Sequence, residues 1–98
     1  MFKISTVDTP SQRTLVVEGT LVGLWVPELR TTWRNARQKL GERKLVIDLS
    51  DLTVIGREGE DAILDLMNEG AEFSRGGILT RHVLKQLARK KLQESPRR

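Results

Sequence analysis

At 98 residues the chain has room for one small core and none for a second lobe or a lid. Hydrophobic residues make up 38% and charged residues 31%, the balance of a soluble globular protein, and no apolar run approaches the roughly 18 to 20 residues that a membrane span needs. There is no cysteine and a single histidine, which excludes a disulfide framework, thiolate catalysis and thiolate metal sites and leaves little for an imidazole-based one. Residues 1–5 lack a basic region followed by an apolar stretch and a small-residue cleavage site, so a cytoplasmic protein without membrane insertion is expected. The net charge of +4 is unevenly spread. Residues 1–72 hold nine Lys or Arg against twelve Asp or Glu, a balance of −3, whereas residues 73–98 hold eight against Glu94 alone, a balance of +7. The basicity belongs to the last predicted helix and its tail.

In chain order, residues 2–7 are predicted as a strand, with Phe2, Ile4 and Thr6 on one face, and the stretch from Asp8 to Gln12 reads as a turn. Residues 14–18 are apolar and β-branched, and the short connection makes these two strands an antiparallel pair. Residues 19–23 are expected to carry the chain over the sheet edge. From there Trp25, Leu29, Trp33, Ala36 and Leu40 step by four or three, one stripe of a helix, with Arg30, Thr31, Arg34, Arg37 and Gln38 toward water. Pro27 suits its first turn and Gly41 its end.

Residues 44–59 are the most readable stretch. Leu45, Val46, Ile47 and Leu49 form a run too short for a helix and suited to a strand covered on both faces. Asp48 interrupts that run and must find donors if buried. Ser50 and Asp51 are turn formers, Leu52, Val54 and Ile55 return to the core, and Gly56 and Gly59 bracket Arg57 and Glu58 at a surface bend beside a helix N-terminus. The strand-helix-strand order makes a right-handed parallel crossover the expected connection. A second helix is predicted over residues 59–70, with Ala62, Ile63, Leu66, Met67 and Ala71 toward the core and Glu60, Asp61, Asp65 and Glu69 outward. A short edge strand over residues 72–75 with Phe73 inward, a break at Gly76 and Gly77, and a last helix over residues 78–92 complete one domain. Residues 93–98 are a frayed basic tail.

The segment from Val46 to Ile55 resembles the central segment of the STAS family, the sulfate-transporter and anti-sigma-factor-antagonist domains. In that family a strand ending Asp-Leu-Ser leads through an apolar stretch ending in Ile to Asp-Ser-Ser/Thr-Gly at the mouth of a helix, and the second hydroxyl residue is phosphorylated. Ile55 and Gly59 match the pattern, and Gly56, Arg57 and Glu58 occupy the acidic and hydroxyl positions. Residues 15–23 resemble the family's earlier strand and its turn into the first helix, and the order of elements agrees through about residue 92. The resemblance implies an α/β fold with a four- to five-stranded mixed sheet and three to four helices, in the order β-β-α-β-α-β-α. It also implies a non-catalytic regulatory domain of the anti-sigma-factor-antagonist kind, without a cofactor or metal, that cannot be phosphorylated at the usual position. Its partner would be an anti-sigma factor, a kinase-like regulator, or a transporter that it serves as a cytoplasmic accessory subunit; a homodimer is the other assembly. The implied partner surface is Gly56, Arg57, Glu58 and Gly59 with Glu60, Asp61 and Asp65.

Other features read more simply. Glu58, Glu60, Asp61 and Asp65 on an exposed helix face describe a solvated face better than a cation site. His82 has no Ser or Asp partner at triad-like spacing. Gly76 and Gly77 precede a helix without the remainder of a phosphate-binding loop. Lys85, Arg89, Lys90, Lys91, Arg97 and Arg98 have no interleaved aromatic for base stacking, so nucleic-acid binding is the weaker reading of the tail. Trp25 and Trp33 are expected in the core.

Overall fold

A computed structural model of the chain describes residues 1–74 together with Lys85, Gln86 and Arg89. Four strands, β1 (Phe2–Asp8), β2 (Gln12–Leu21), β3 (Lys44–Ile55) and β4 (Glu72–Ser74), form one mixed sheet in that spatial order. β1 and β2 are an antiparallel hairpin, and β2, β3 and β4 run parallel. A 3-10 turn (Gly23–Trp25) and helix α1 (Val26–Ala36) link β2 to β3, and helix α2 (Arg57–Asn68) links β3 to β4. The described fold is therefore α/β. The helix expected over residues 78–92, His82 and the Gly76-Gly77 break lie outside the described residues, apart from Lys85, Gln86 and Arg89, which are helical and exposed.

Both helices pack on one face of the sheet. Register puts Leu15 opposite Ile47 and both on that face, where Leu15, Val17, Leu21, Ile47, Leu49 and Leu52 meet Leu29, Trp33 and Ala36 of α1 and Ala62, Ile63 and Leu66 of α2. Phe73 of β4 and Phe2 and Ile4 of β1 pack against this cluster, as the alternation of their strands predicts. Val46, on the opposite face, is 8% exposed. Next to it in β3, Asp48 lies in one row with Val16 and Ser74.

β3 differs most from expectation. Ser50 and Asp51 do not turn the chain, which stays extended to Ile55. The pairing with β2 slips twice: Val16 to Glu18 faces Asp48 to Asp51, and Gly19 to Thr20 faces Leu52 to Val54. Each slip is one extra residue in β3, a β-bulge, and each reverses which side chains face the helices. Without the bulges the odd-numbered side chains that begin with Leu45 would continue inward. With them the inward residues become Leu49, Leu52 and Ile55, a three-residue spacing carried by a strand. Asp48 secures the first bulge, where its Oδ1 accepts hydrogen bonds from Ser50 N–H at 2.9 Å and from Ser50 Oγ–H at 2.6 Å.

Three other boundaries move. β2 extends through Gly19, at φ +92°, to Leu21 instead of leaving the sheet after Glu18. Trp25 stands before α1, in the 3-10 turn, and stacks on Phe2 with ring centroids 5.6 Å apart, so it leaves the helical stripe predicted for it. Pro27 falls in the first turn, as expected, but α1 stops at Ala36 rather than Leu40. Arg13 of β2 donates from Nη1 to Ala36 O at 2.8 Å and to Gln38 O at 3.0 Å, satisfying carbonyls at the helix end. Lys39 then takes a left-handed φ of 55°. A tertiary cap therefore ends the helix before Gly41 is reached.

Candidate docking site at the ends of the parallel strands

The parallel strands β2 and β3 end side by side, with Leu21 paired to Ile55. Beyond this pair Gly56 N–H donates to Leu21 O at 2.8 Å, so the two chains separate only after Gly56. One goes into the 3-10 turn and α1, the other directly into α2. This is the carboxyl-terminal edge of the parallel strands.

The predicted bend is in fact the first turn of α2. Gly56 is its N-cap, in extended backbone at φ −84° and ψ 177°, and Glu60 N–H donates to Gly56 O at 2.9 Å. The helix thus begins at Arg57, two residues earlier than the predicted Gly59, and runs to Asn68 rather than Gly70. Glu58 and Glu60 lie in this first turn, where negative charge complements the helix dipole.

The seven candidate residues divide by environment. Arg57, Glu58, Asp61 and Asp65 are exposed, and Glu60 is half-buried. Gly59 is buried, and a Cβ there would lie 2.5 Å from Leu21 O and 2.9 Å from Leu21 Cγ. Its missing side chain lets α2 lie against the end of β2. Gly56 is a spacer of the same kind, where a Cβ would meet Val22 Cγ1 at 3.1 Å. Asp65 faces α1, with its Oδ2 accepting from Arg30 Nη2 at 2.8 Å. Together with Trp33 Nε1–H donating to Glu69 Oε1 at 3.1 Å, that bond joins the two helices. The structure therefore brings Arg57, Glu58, Glu60 and Asp61 together at one end of α2, with Gly56 and Gly59 packed against the end of β2 and Asp65 paired to α1.

Sequence reasoning did not reach Gly23 and Leu24. The Glu58 carboxylate packs on Gly23, where an added Cβ would lie 3.0 to 3.2 Å from Glu58 Cδ and both oxygens. The neighbouring Leu24 is 77% exposed. Val54, at the end of β3, is 50% exposed on the face away from the helices, because of the second bulge. Only the register of β2 against β3 places Gly23 and its 3-10 turn beside α2, so no local pattern announces them.

Of the other groups weighed, Ser50 is engaged with Asp48, and Thr53 donates from Oγ1 to Gly19 O at 3.1 Å. Burial pushes the Asp48 carboxyl up, but hydrogen bonds from the Ser50 hydroxyl, the Ser50 N–H and the Ser74 hydroxyl outweigh it and hold the group below its ordinary value. Among the described residues no cluster of three acidic or histidine side chains is arranged to hold a metal, and no helix is long and apolar enough to cross a membrane. No protein-family model and no curated protein matches the chain.

Proposed function

We propose that this chain is a non-catalytic protein-interaction domain resembling the anti-sigma-factor antagonists of the STAS family, and that it docks its partner on the first turn of α2. Glu58 supplies one fixed negative charge where a phosphorylated relative carries about −1.5 to −2 and three acceptor oxygens. The domain is then permanently in one signalling state, and its control lies with the abundance of the partner or of the domain itself.

The observation that carries this reading is the exposure of Arg57 and Glu58 at the mouth of α2, beside the joined ends of β2 and β3. A docking residue at the family's switch position has to be reachable, and Glu58 is. The antiparallel first hairpin followed by parallel strands is also compatible with the resemblance.

The test is a photo-cross-linker placed at position 58, and at Lys3 on β1 as a control, in the native cell. A single protein captured from position 58 and not from position 3, and lost with the Asp61→Lys variant, supports the proposal. Its identity as a sigma-factor regulator or as a transporter subunit separates the two regulatory versions. Equal capture from both positions, or capture indifferent to Asp61→Lys, overturns the proposal.

A further inference from the structure

The body of the chain is acidic, yet its cations are not scattered. Of the nine Lys or Arg in residues 1–72, five line two adjoining cavities at the other end of the sheet. The larger, of about 620 Å³, lies at the carboxyl ends of α1 and α2 and the start of β3, and its wall includes Arg37, Lys39 and Lys44. The smaller, of about 140 Å³, lies in the seam between the helices and is lined by Arg30, Arg34 and Arg37. Trp33, Arg37 and Glu69 line both, so the two cavities adjoin across these side chains.

The state of those cations matters more than their number. Arg30 is committed to Asp65 at 2.8 Å. Arg37 reaches Glu69 only at 3.8 Å and rests over the Trp33 ring, 5.6 Å from its centroid. Lys44 meets Glu72 at 3.5 Å, with both side chains about 60% exposed. Among the described residues Arg34 and Lys39 make no ion pair. Among the described residues two cations thus stand without a carboxylate, Arg34 in the smaller cavity and Lys39 in the larger, and two more hold theirs loosely. Exposed, poorly aligned ion pairs exchange readily for a better-placed anion, and arginine binds such anions in a two-pronged fashion. Leu40 and Leu45 contribute an apolar wall to the larger cavity.

We infer that the cleft binds a small molecule carrying two anionic groups, a diphosphate or a dicarboxylate, with one group on Arg34 and Arg37 and the other on Lys39 and Lys44. Its volume lies within the range of small-ligand sites. Bound anion draws Arg37 away from Glu69, whose Oε1 accepts the Trp33 indole N–H. Occupancy is therefore reported by the Trp33 indole, while Trp25, stacked on Phe2, is a built-in reference.

The experiment follows the two indole N–H resonances of the full chain, assigned with Trp25→Phe, during titration with pyrophosphate and separately with succinate. The expected result is a saturable shift of the Trp33 resonance alone, half complete below about 1 mM at low salt with at least one probe, and weakened by added salt. The responding probe tells phosphate from carboxylate. Arg34→Gln and Lys39→Gln each raise the half-saturation concentration roughly five- to tenfold, and Lys3→Gln on β1 leaves it unchanged. The inference is overturned if neither probe gives a saturable shift up to about 10 mM, or if Lys3→Gln weakens the response as much as the cleft variants do. This result stands apart from partner docking at α2, at the opposite end of β3.

Discussion

The carboxylate of Glu58 lies on the bare Cα of Gly23, with its Cδ 3.0 Å and its oxygens 3.1 and 3.2 Å from where a Cβ would stand. That contact ties the first turn of α2 to the 3-10 turn before α1, and it sets where the charge at position 58 points. Gly23→Ala is therefore expected to move the carboxylate rather than the backbone, because the colliding atoms are the far end of a flexible side chain. Stability should change by no more than about 0.5 kcal/mol in chemical denaturation. Affinity for the protein cross-linked from position 58 should fall several-fold in a direct binding assay. Unchanged affinity would show that the orientation of Glu58 is irrelevant to docking.

Gly59 should behave in the opposite way. A methyl group there meets the Leu21 carbonyl at 2.5 Å, and that carbonyl is fixed by its bond from Gly56 N–H. Helix α2 must shift, so Gly59→Ala should cost about 1 to 3 kcal/mol, as overpacked sites do. Urea denaturation gives the number, and a neutral result would mean that α2 does not lie as close to β2 as described.

The two bulges of β3 make a test of phase. Leu52 is 4% exposed and inward, whereas Val54, two residues on, is 50% exposed and outward. Leu52→Ala should cost about 2 to 5 kcal/mol, and Val54→Ala should stay within about 0.5 kcal/mol. A strand without the second bulge would place both on the same face, and their costs would then be similar.

Asp48 sets an acid limit. Its carboxyl is held below the ordinary value of 3.8 despite the burial that opposes this, by the Ser50 and Ser74 hydrogen bonds. The folded protein therefore releases this proton more readily than the unfolded chain, and the stabilisation is fully present above the unfolded value. It disappears as pH falls through the lower folded value. Asp8, lowered chiefly by its hydrogen bond with Arg13, acts in the same direction. In Asp48→Asn the Asp8 contribution remains, so the stability difference between wild type and variant isolates Asp48. That difference should be constant from neutral pH to about pH 5 and shrink below 3.8. A difference that does not change in acid would mean that Asp48 keeps its ordinary affinity for protons when folded.

Apolar spacing alone determined much of this protein. Leu29, Trp33 and Ala36 on one helix, Ala62, Ile63 and Leu66 on another, and Ile47 and Leu49 on a strand were all legible, because a helix or strand exposes its period within a few residues of sequence. The segregation of charge was equally visible there. Only the tertiary structure decided where β3 ends, which way its side chains face, and what stands beside Glu58. The spacing of Leu49, Leu52 and Ile55 fits neither an unbroken strand nor a helix, and it becomes intelligible once β2 imposes two bulges on it. Likewise Arg13, from a different strand, ends α1 before Gly41 can. Gly23 comes to lie under Glu58 because Leu21 pairs with Ile55. Each of these depends on a partner far along the chain, and a local pattern carries no record of the residue that will lie across from it.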